Sequence, residues 1–269
     1  MTQVDNAELL NIKIIHPLAS GKLRLLNLDA DEHGNFIALL SNWEVWTNQW
    51  QLPLHQQFRF PLIRKIDDTR FLVIESRRSQ QDNGHVFGVD GNKMLTFDAG
   101  DAVEDVLVQD GKIVISYFDE GFGSSKPSSD GLAVFNFDGQ QLWGFNSSNP
   151  AHFILDCYCM CKLGKDSILF YPYTDFPLVE LRLTDYQIIH QEAPDGFCGS
   201  HALTTTRGNV IFYGSYEDTC FFWWNRKDKV KRFGNFSSAG LRGIGNGKFL
   251  TFDDHSFTIV DAMAVMSEK

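Results

Sequence analysis

Cys157, Cys159 and Cys161 form the densest group of metal-ligating side chains in the sequence. On a strand, positions two apart share a face but climb about 3.3 Å per residue, which sets the outer two cysteines roughly 13 Å apart. One zinc ion, with Zn–S bonds of about 2.3 Å, cannot hold all three, and no histidine nearby completes a tetrahedral set. The triplet therefore reads as small apolar residues packed between layers, and neither a metal nor a cofactor is expected. The eight histidines are scattered, with no HExxH or His-x-His pairing. Nucleophile-elbow and phosphate-loop motifs are absent, and the glycines of Gly240-Leu-Arg-Gly-Ile-Gly-Asn-Gly247 lie between strands with no helix to follow, as in a tight strand bend. The adjacent carboxylates Asp119 and Glu120, Glu217 and Asp218, and Asp253 and Asp254 would point to opposite faces of a strand, so none makes an acid/base pair. No catalytic residue is expected.

The elements that position these residues follow from the aromatic content. The chain has 269 residues and carries 23 Phe, 7 Tyr and 6 Trp. They fall in short β-branched and aromatic runs between Gly, Asp and Asn turns, and no stretch keeps the 3.6-residue period of a long helix. One turn-plus-strand pattern recurs at 35–40, 70–74, 112–117, 166–171, 209–213 and 247–252, with starts spaced by 35, 42, 54, 43 and 38 residues. Asp-Gly dipeptides at 90–91, 110–111 and 138–139 mark hairpins, because a type I′ turn needs positive φ at both central positions.

A strand before each run and two after it make a unit of four antiparallel strands in about 40 residues, the period of propeller blades. The sequence therefore predicts an all-β, six-bladed β-propeller in one domain over 1–269, with blades at 22–57, 58–100, 101–147, 151–193, 199–235 and 237–262. The last unit lacks a strand, and a spare one stands at 11–16. Pairing the two closes the ring and hides two sheet edges. Rings of five or seven blades, or a pair of β-sandwiches, would leave the regular spacing unexplained.

Thirty-four acids against 24 bases give a net charge of -10, a sign that disfavours phosphate backbones and anionic lipid surfaces. No apolar run approaches the roughly 20 residues that span a bilayer. The polar, acidic start is unlike a signal peptide, and the odd count of five cysteines suits a reducing compartment. A cytoplasmic location is expected, without direct nucleic-acid or membrane binding.

In an up-and-down blade, the turn after the second strand and the link to the next blade emerge on one rim. That rim collects Asp98, Asp101, Asp119, Glu120, Asp130, Asp175, Glu192, Asp195, Glu217, Asp218, Asp253 and Asp254, against Arg77, Arg78 and Lys126. The opposite rim is mixed, with Lys65, Lys93, Lys162, Lys165, Arg226, Lys227 and Lys229 among its acids. Turns favour Asp, which accounts for part of the asymmetry, and the remainder describes a face suited to a basic partner. Trp43, Phe122, Tyr171, Tyr173, Phe176, Phe197 and Tyr216 sit in the same loops as candidate anchors, although a propeller core draws on aromatics too. The Gly-, Ser- and Pro-rich segment 119–131 reads as a mobile excursion from this rim.

The run Ser116-Tyr-Phe-Asp-Glu-Gly-Phe-Gly123, with Asp130-Gly-Leu-Ala-Val-Phe-Asn-Phe-Asp-Gly139 and Leu142-Trp143, resembles a blade of small bacterial propellers that lack a catalytic signature. The chain is also similar in size and acidity to immunity proteins of contact-dependent growth inhibition systems. That resemblance implies a non-enzymatic inhibitor that covers the active site of a basic, RNase-type toxin with its acidic rim. The competing expectation is a lactonase- or glycosidase-like hydrolase with its site in the central tunnel, where Asp105, Asp156, His201 and Arg242 are the nearest candidates by position. A scaffold subunit of a larger assembly is a third.

Overall fold

Each recurrent apolar run becomes the second strand of a four-stranded antiparallel sheet. The computed structural model describes residues 10–13, 23–78, 82–216, 218–236 and 240–267. Blade 1 is β2 (Leu25–Ala30), β3 (Phe36–Leu40), β4 (Glu44–Thr47) and β5 (Gln51–Pro53). Blade 2 is β6 (Pro61–Lys65), β7 (Arg70–Glu75), β8 (Gly84–Gly88) and β9 (Lys93–Phe97). Blade 3 is β10 (Val103–Gln109), β11 (Lys112–Tyr117), β12 (Leu132–Asn136) and β13 (Gln141–Gly144). Blade 4 is β14 (Asp156–Leu163), β15 (Ser167–Tyr173), β16 (Leu178–Arg182) and β17 (Ile188–Gln191). Blade 5 is β18 (Ala202–Thr206), β19 (Asn209–Ser215), β20 (Asp218–Trp224) and β21 (Val230–Phe233).

In blade 6 the C-terminal part of the chain supplies three strands, β22 (Arg242–Gly245), β23 (Lys248–Phe252) and β24 (Phe257–Asp261). The fourth is β1 (Leu10–Lys13), which runs antiparallel to β24 with Leu10 opposite Val260 and Lys13 opposite Phe257. The expected closing strand at 11–16 thus begins one residue earlier, and 14–16 lie outside the described residues. The C-terminal tail adds a short helix, α1 (Ala262–Ser267), that the strand pattern did not announce. Its Ala262 and Val265 pack with Phe221, Phe233 and Phe249 between blades 5 and 6.

Aromatic and aliphatic side chains fill the gaps between blades. Six buried clusters each draw on two neighbouring blades, so every inter-blade joint, including the one between blades 6 and 1, is an apolar core. Gly243 shows how close the inner strands run. A Cβ there would meet the Leu203 carbonyl oxygen of β18 at 1.8 Å, which only glycine avoids.

The cysteine triplet obeys the apolar reading but not the expected geometry. Cys157 pairs with Pro172 and Cys159 with Tyr171, so Tyr158 is an extra residue in a β-bulge. The bulge breaks the alternation. Cys157 packs between blades 3 and 4, whereas Cys159 and Cys161 pack between blades 4 and 5. Burial raises the pKa of all three thiols.

Candidate functional site

Six inner strands, β2, β6, β10, β14, β18 and β22, surround the central tunnel. The turns joining second to third strands and the links between blades form its lower rim, and the remaining turns form its upper rim. Arg64 and Arg242 line both an upper cavity of about 620 Å³ and a lower one of about 190 Å³, so their side chains partition the tunnel. Arg64 is 3% exposed. Its Nη2 donates to Asp105 Oδ1 at 2.5 Å, Nε to the Val106 carbonyl at 2.7 Å, and Nη1 to the Ile63 carbonyl at 2.7 Å and Asn27 Oδ1 at 3.2 Å. Arg242 donates to Asp29. Burial opposes charge on Asp29, but the Arg242 and Arg64 guanidiniums outweigh it and hold the carboxyl below its ordinary range.

The lower mouth has the opposite character. Glu104 is the extra residue of a bulge in β10, as Tyr158 is in β14, and both line the lower cavity. Enclosure by the tunnel walls raises Glu104 to about 7, with Asp105 and Asp156 adding to the effect. Burial and then Asp119 raise Asp156 to about 6. Of the four tunnel candidates from the sequence, Asp105, His201 and Arg242 all line the lower cavity, with Asp105 and Arg242 engaged in separate ion pairs, and Asp156 stands among acids at the mouth. Among the described residues, no three His, Cys, Asp or Glu side chains are grouped to hold a metal ion.

Around the lower rim the acids divide into two sets. Asp98 pairs with Arg78, its two oxygens each 2.9 Å from Nη1. Asp101 accepts the Arg78 backbone N–H at 2.7 Å and meets Arg77 at 3.2 Å, while Glu120 also pairs with Arg77. Asp218 pairs with Arg232, a cation from β21 that the loop sorting missed. Asp253 closes its own turn, accepting the His255 and Ser256 N–H groups at 2.7 Å. Glu217 lies outside the described residues.

Asp130 departs from the expected surface position. It is 1% exposed and accepts hydrogen bonds from Gln141 Nε2 at 2.6 Å and the Ser147 backbone N–H at 3.1 Å. Its carboxylate occupies the space beside Gly144 where a Cβ would stand. Ser128, also buried, accepts the Asp101 N–H at 2.7 Å. Two short 3₁₀ turns, Asp119–Gly121 and Ser128–Asp130, organise the segment. The supposed excursion is thus pinned by buried polar groups, and its Ser and Asp content serves that anchoring rather than solvation. Asp119, Asp175, Asp195 and Asp254 remain exposed and form no ion pair with the described residues.

Aromatic rings stand between these exposed acids. Tyr216 is 63% exposed, Phe122 48% and Tyr173 41%, whereas Tyr171, Phe176 and Phe197, expected as anchors, are buried in the joint between blades 4 and 5. The Tyr158 and Tyr216 hydroxyls are 2.7 Å apart, and Tyr158 stacks on Tyr173 with ring centroids separated by 6.1 Å. Phe176 packs edge-on to Tyr158, Tyr173 and Tyr216. Beside this group, exposed Phe153 meets Phe122 at 5.1 Å. Tyr158 and Phe153 went unnoticed in the sequence because an inner-strand bulge and a link residue carry no motif. Chemically, the lower rim offers fixed rings and unpaired carboxylates, the components of a polar docking face.

No family model matches the chain, and no curated protein matches it. Solved structures do. The extracellular domain of BT3049 from B. thetaiotaomicron is 12% identical with a TM-score of 0.58 over 91% of this chain and 35% of that one. The extracellular domain of BT4673 from the same organism is also 12% identical, with a TM-score of 0.56 over 94% and 33%. This chain thus spans about a third of either protein. Streptogramin B lyase is 8% identical, with a TM-score of 0.52 over 93% of this chain and 96% of the enzyme. At such identities the likeness shows the propeller fold alone. The resemblance to immunity proteins draws no support from these matches.

Proposed function

We propose that this chain is a non-enzymatic, protein-binding propeller whose lower rim docks a basic protein, and that the partner is a nuclease toxin whose RNA-binding surface the rim covers. The observation that carries the reading is the exposed ring cluster of Tyr173 and Tyr216 over Tyr158 and Phe176, flanked by Asp119, Asp175 and Asp195. Rigid aromatics anchor interfaces at low entropic cost, and unpaired carboxylates steer a basic partner into register. The alternative of a tunnel hydrolase loses ground because Asp105 and Arg242 each neutralise a different partner. We place the encounter in the cytoplasm, where the free thiols stay reduced.

Co-expression with the product of the adjacent reading frame tests this reading. A stoichiometric complex that suppresses ribonuclease activity and weakens with salt is expected. A ribonuclease that stays active beside the intact propeller overturns the toxin assignment. A complex unaffected by both Tyr216→Ala and Asp119→Lys overturns the rim.

A further inference from the structure

The upper mouth of the tunnel contains a cation that the fold does not neutralise. Lys162, near the end of β14, projects into the cavity of about 620 Å³ that Arg64 and Arg242 floor. Its ammonium makes no hydrogen bond or ion pair with the described residues, while its carbonyl accepts the Thr205 hydroxyl at 3.1 Å. The other charges at this mouth are matched. Arg64 has Asp105, Arg242 has Asp29, Arg70 has Asp67 and Lys65 has Asp68. Asp31 has no cation, but it accepts the His33 and Asn35 backbone N–H groups at 2.9 Å and Asn35 Nδ2 at 2.6 Å within its own turn. Lys162 is exposed to solvent at this mouth, yet partial desolvation by the tunnel wall and the like charges of Arg242 and Arg64 pull its pKa down despite Asp29 and Asp31.

The exposed Lys162 ammonium faces a cavity already floored by the Arg64 and Arg242 guanidiniums, so an arriving anion gains a charge-assisted hydrogen bond there. The cavity has the size of a small-molecule site. Asn48, Gln49 and Trp50 from the turn between β4 and β5 line its outer wall, giving amide groups and an indole to hold the rest of a polar ligand. We propose that the upper mouth binds a small polar ligand through a single carboxylate or phosphate group seated on Lys162. The site lies at the other end of the tunnel from the docking rim and stands or falls independently of it.

The test uses the full chain at constant ionic strength, titrated by calorimetry with inorganic phosphate and, separately, with acetate. Saturable binding of at least one anion is expected, weakened about tenfold or more in Lys162→Met and retained in Lys162→Arg. Tighter phosphate binding assigns a phosphorylated ligand, and tighter acetate binding a carboxylate. Lys227→Met, on the same rim outside the cavity, is expected to bind as the native chain does. Lys162→Gln repeats the measurement if the methionine variant folds poorly. The absence of saturation by either anion overturns the proposal, as does equal affinity in the native chain and both neutral variants.

Discussion

The hydroxyls of Tyr158 and Tyr216 are 2.7 Å apart, joining the bulged inner strand of blade 4 to the loop after the second strand of blade 5. Tyr216 is 63% exposed, and its ring packs edge-on to Tyr158 and Phe176. Tyr216→Ala is expected to weaken partner binding by about 2 kcal/mol or more, the range of an interface hot spot, while leaving thermal stability nearly unchanged. Tyr158→Phe removes only the shared hydroxyl bond and is expected to cost about 1 kcal/mol of binding by loosening Tyr216. Calorimetric titration with the co-encoded partner reads both, and native affinity in Tyr216→Ala would remove the ring cluster from the interface.

Charge reversal separates the two sets of rim acids. Asp119 and Asp195 are unpaired, whereas Asp98 and Asp101 neutralise Arg78 and Arg77. The double variant Asp119→Lys with Asp195→Lys is expected to slow association about tenfold or more at low salt and to flatten its salt dependence. Asp98→Asn frees an arginine and is expected to disturb the local loop more than the encounter rate. Stopped-flow association measured at two ionic strengths distinguishes them. A charge-reversed double variant that associates no more slowly than Asp98→Asn would remove the unpaired carboxylates from the encounter.

The Arg64–Asp105 pair ties blade 2 to blade 3 inside the tunnel. Asp105→Ala leaves a guanidinium that is 3% exposed without its carboxylate, and a loss of about 3–5 kcal/mol in chemical denaturation is expected. Adding Arg64→Met is expected to restore most of that loss, because the unpaired charge is what costs. A double variant as unstable as Asp105→Ala would show that the hydrogen bonds to Val106 and Ile63, not the ion pair, organise the joint.

Strand periodicity and turn dipeptides were enough to read the ring, because β-branched runs between Asp-Gly and Asn turns report local backbone preference directly. The closure was legible too, since a spare strand at one end matched a missing one at the other. The tunnel was less so. Counting strands places Asp105, Asp156, His201 and Arg242 near it and Lys162 on the opposite rim, but gives no sign of Arg64, Asp29 or Glu104. Glu104 and Tyr158 reach the tunnel only because one-residue bulges redirect them, and a bulge has no local sequence mark that alternation can reveal. Asp130 misled for the related reason that an Asp in a Gly- and Ser-rich loop reads the same whether it faces water or closes the loop from within.

Glu104 and Asp156 make stability depend on pH. Glu104 has an ordinary value of 4.5 in the unfolded chain and about 7 in the folded one, so between those values the unfolded state gives up its proton first. Stability therefore falls as pH rises through this window, and the full penalty is present above it. Asp156 behaves likewise between 3.8 and about 6. Because water in the tunnel screens Glu104, the penalty is discounted to about 1 kcal/mol, or roughly 2–4 °C in Tm. Glu104→Gln is expected to melt that much higher than the native chain at pH 8 and level with it at pH 4. A basic partner favours the ionised carboxylates, so native binding is expected to tighten from pH 5.5 to pH 7.5, and Glu104→Gln with Asp156→Asn to lose most of that gain. Melting curves at the two extremes decide the first expectation. An equal gain at pH 4 would trace the effect to packing in the tunnel and leave proton release without a part in it.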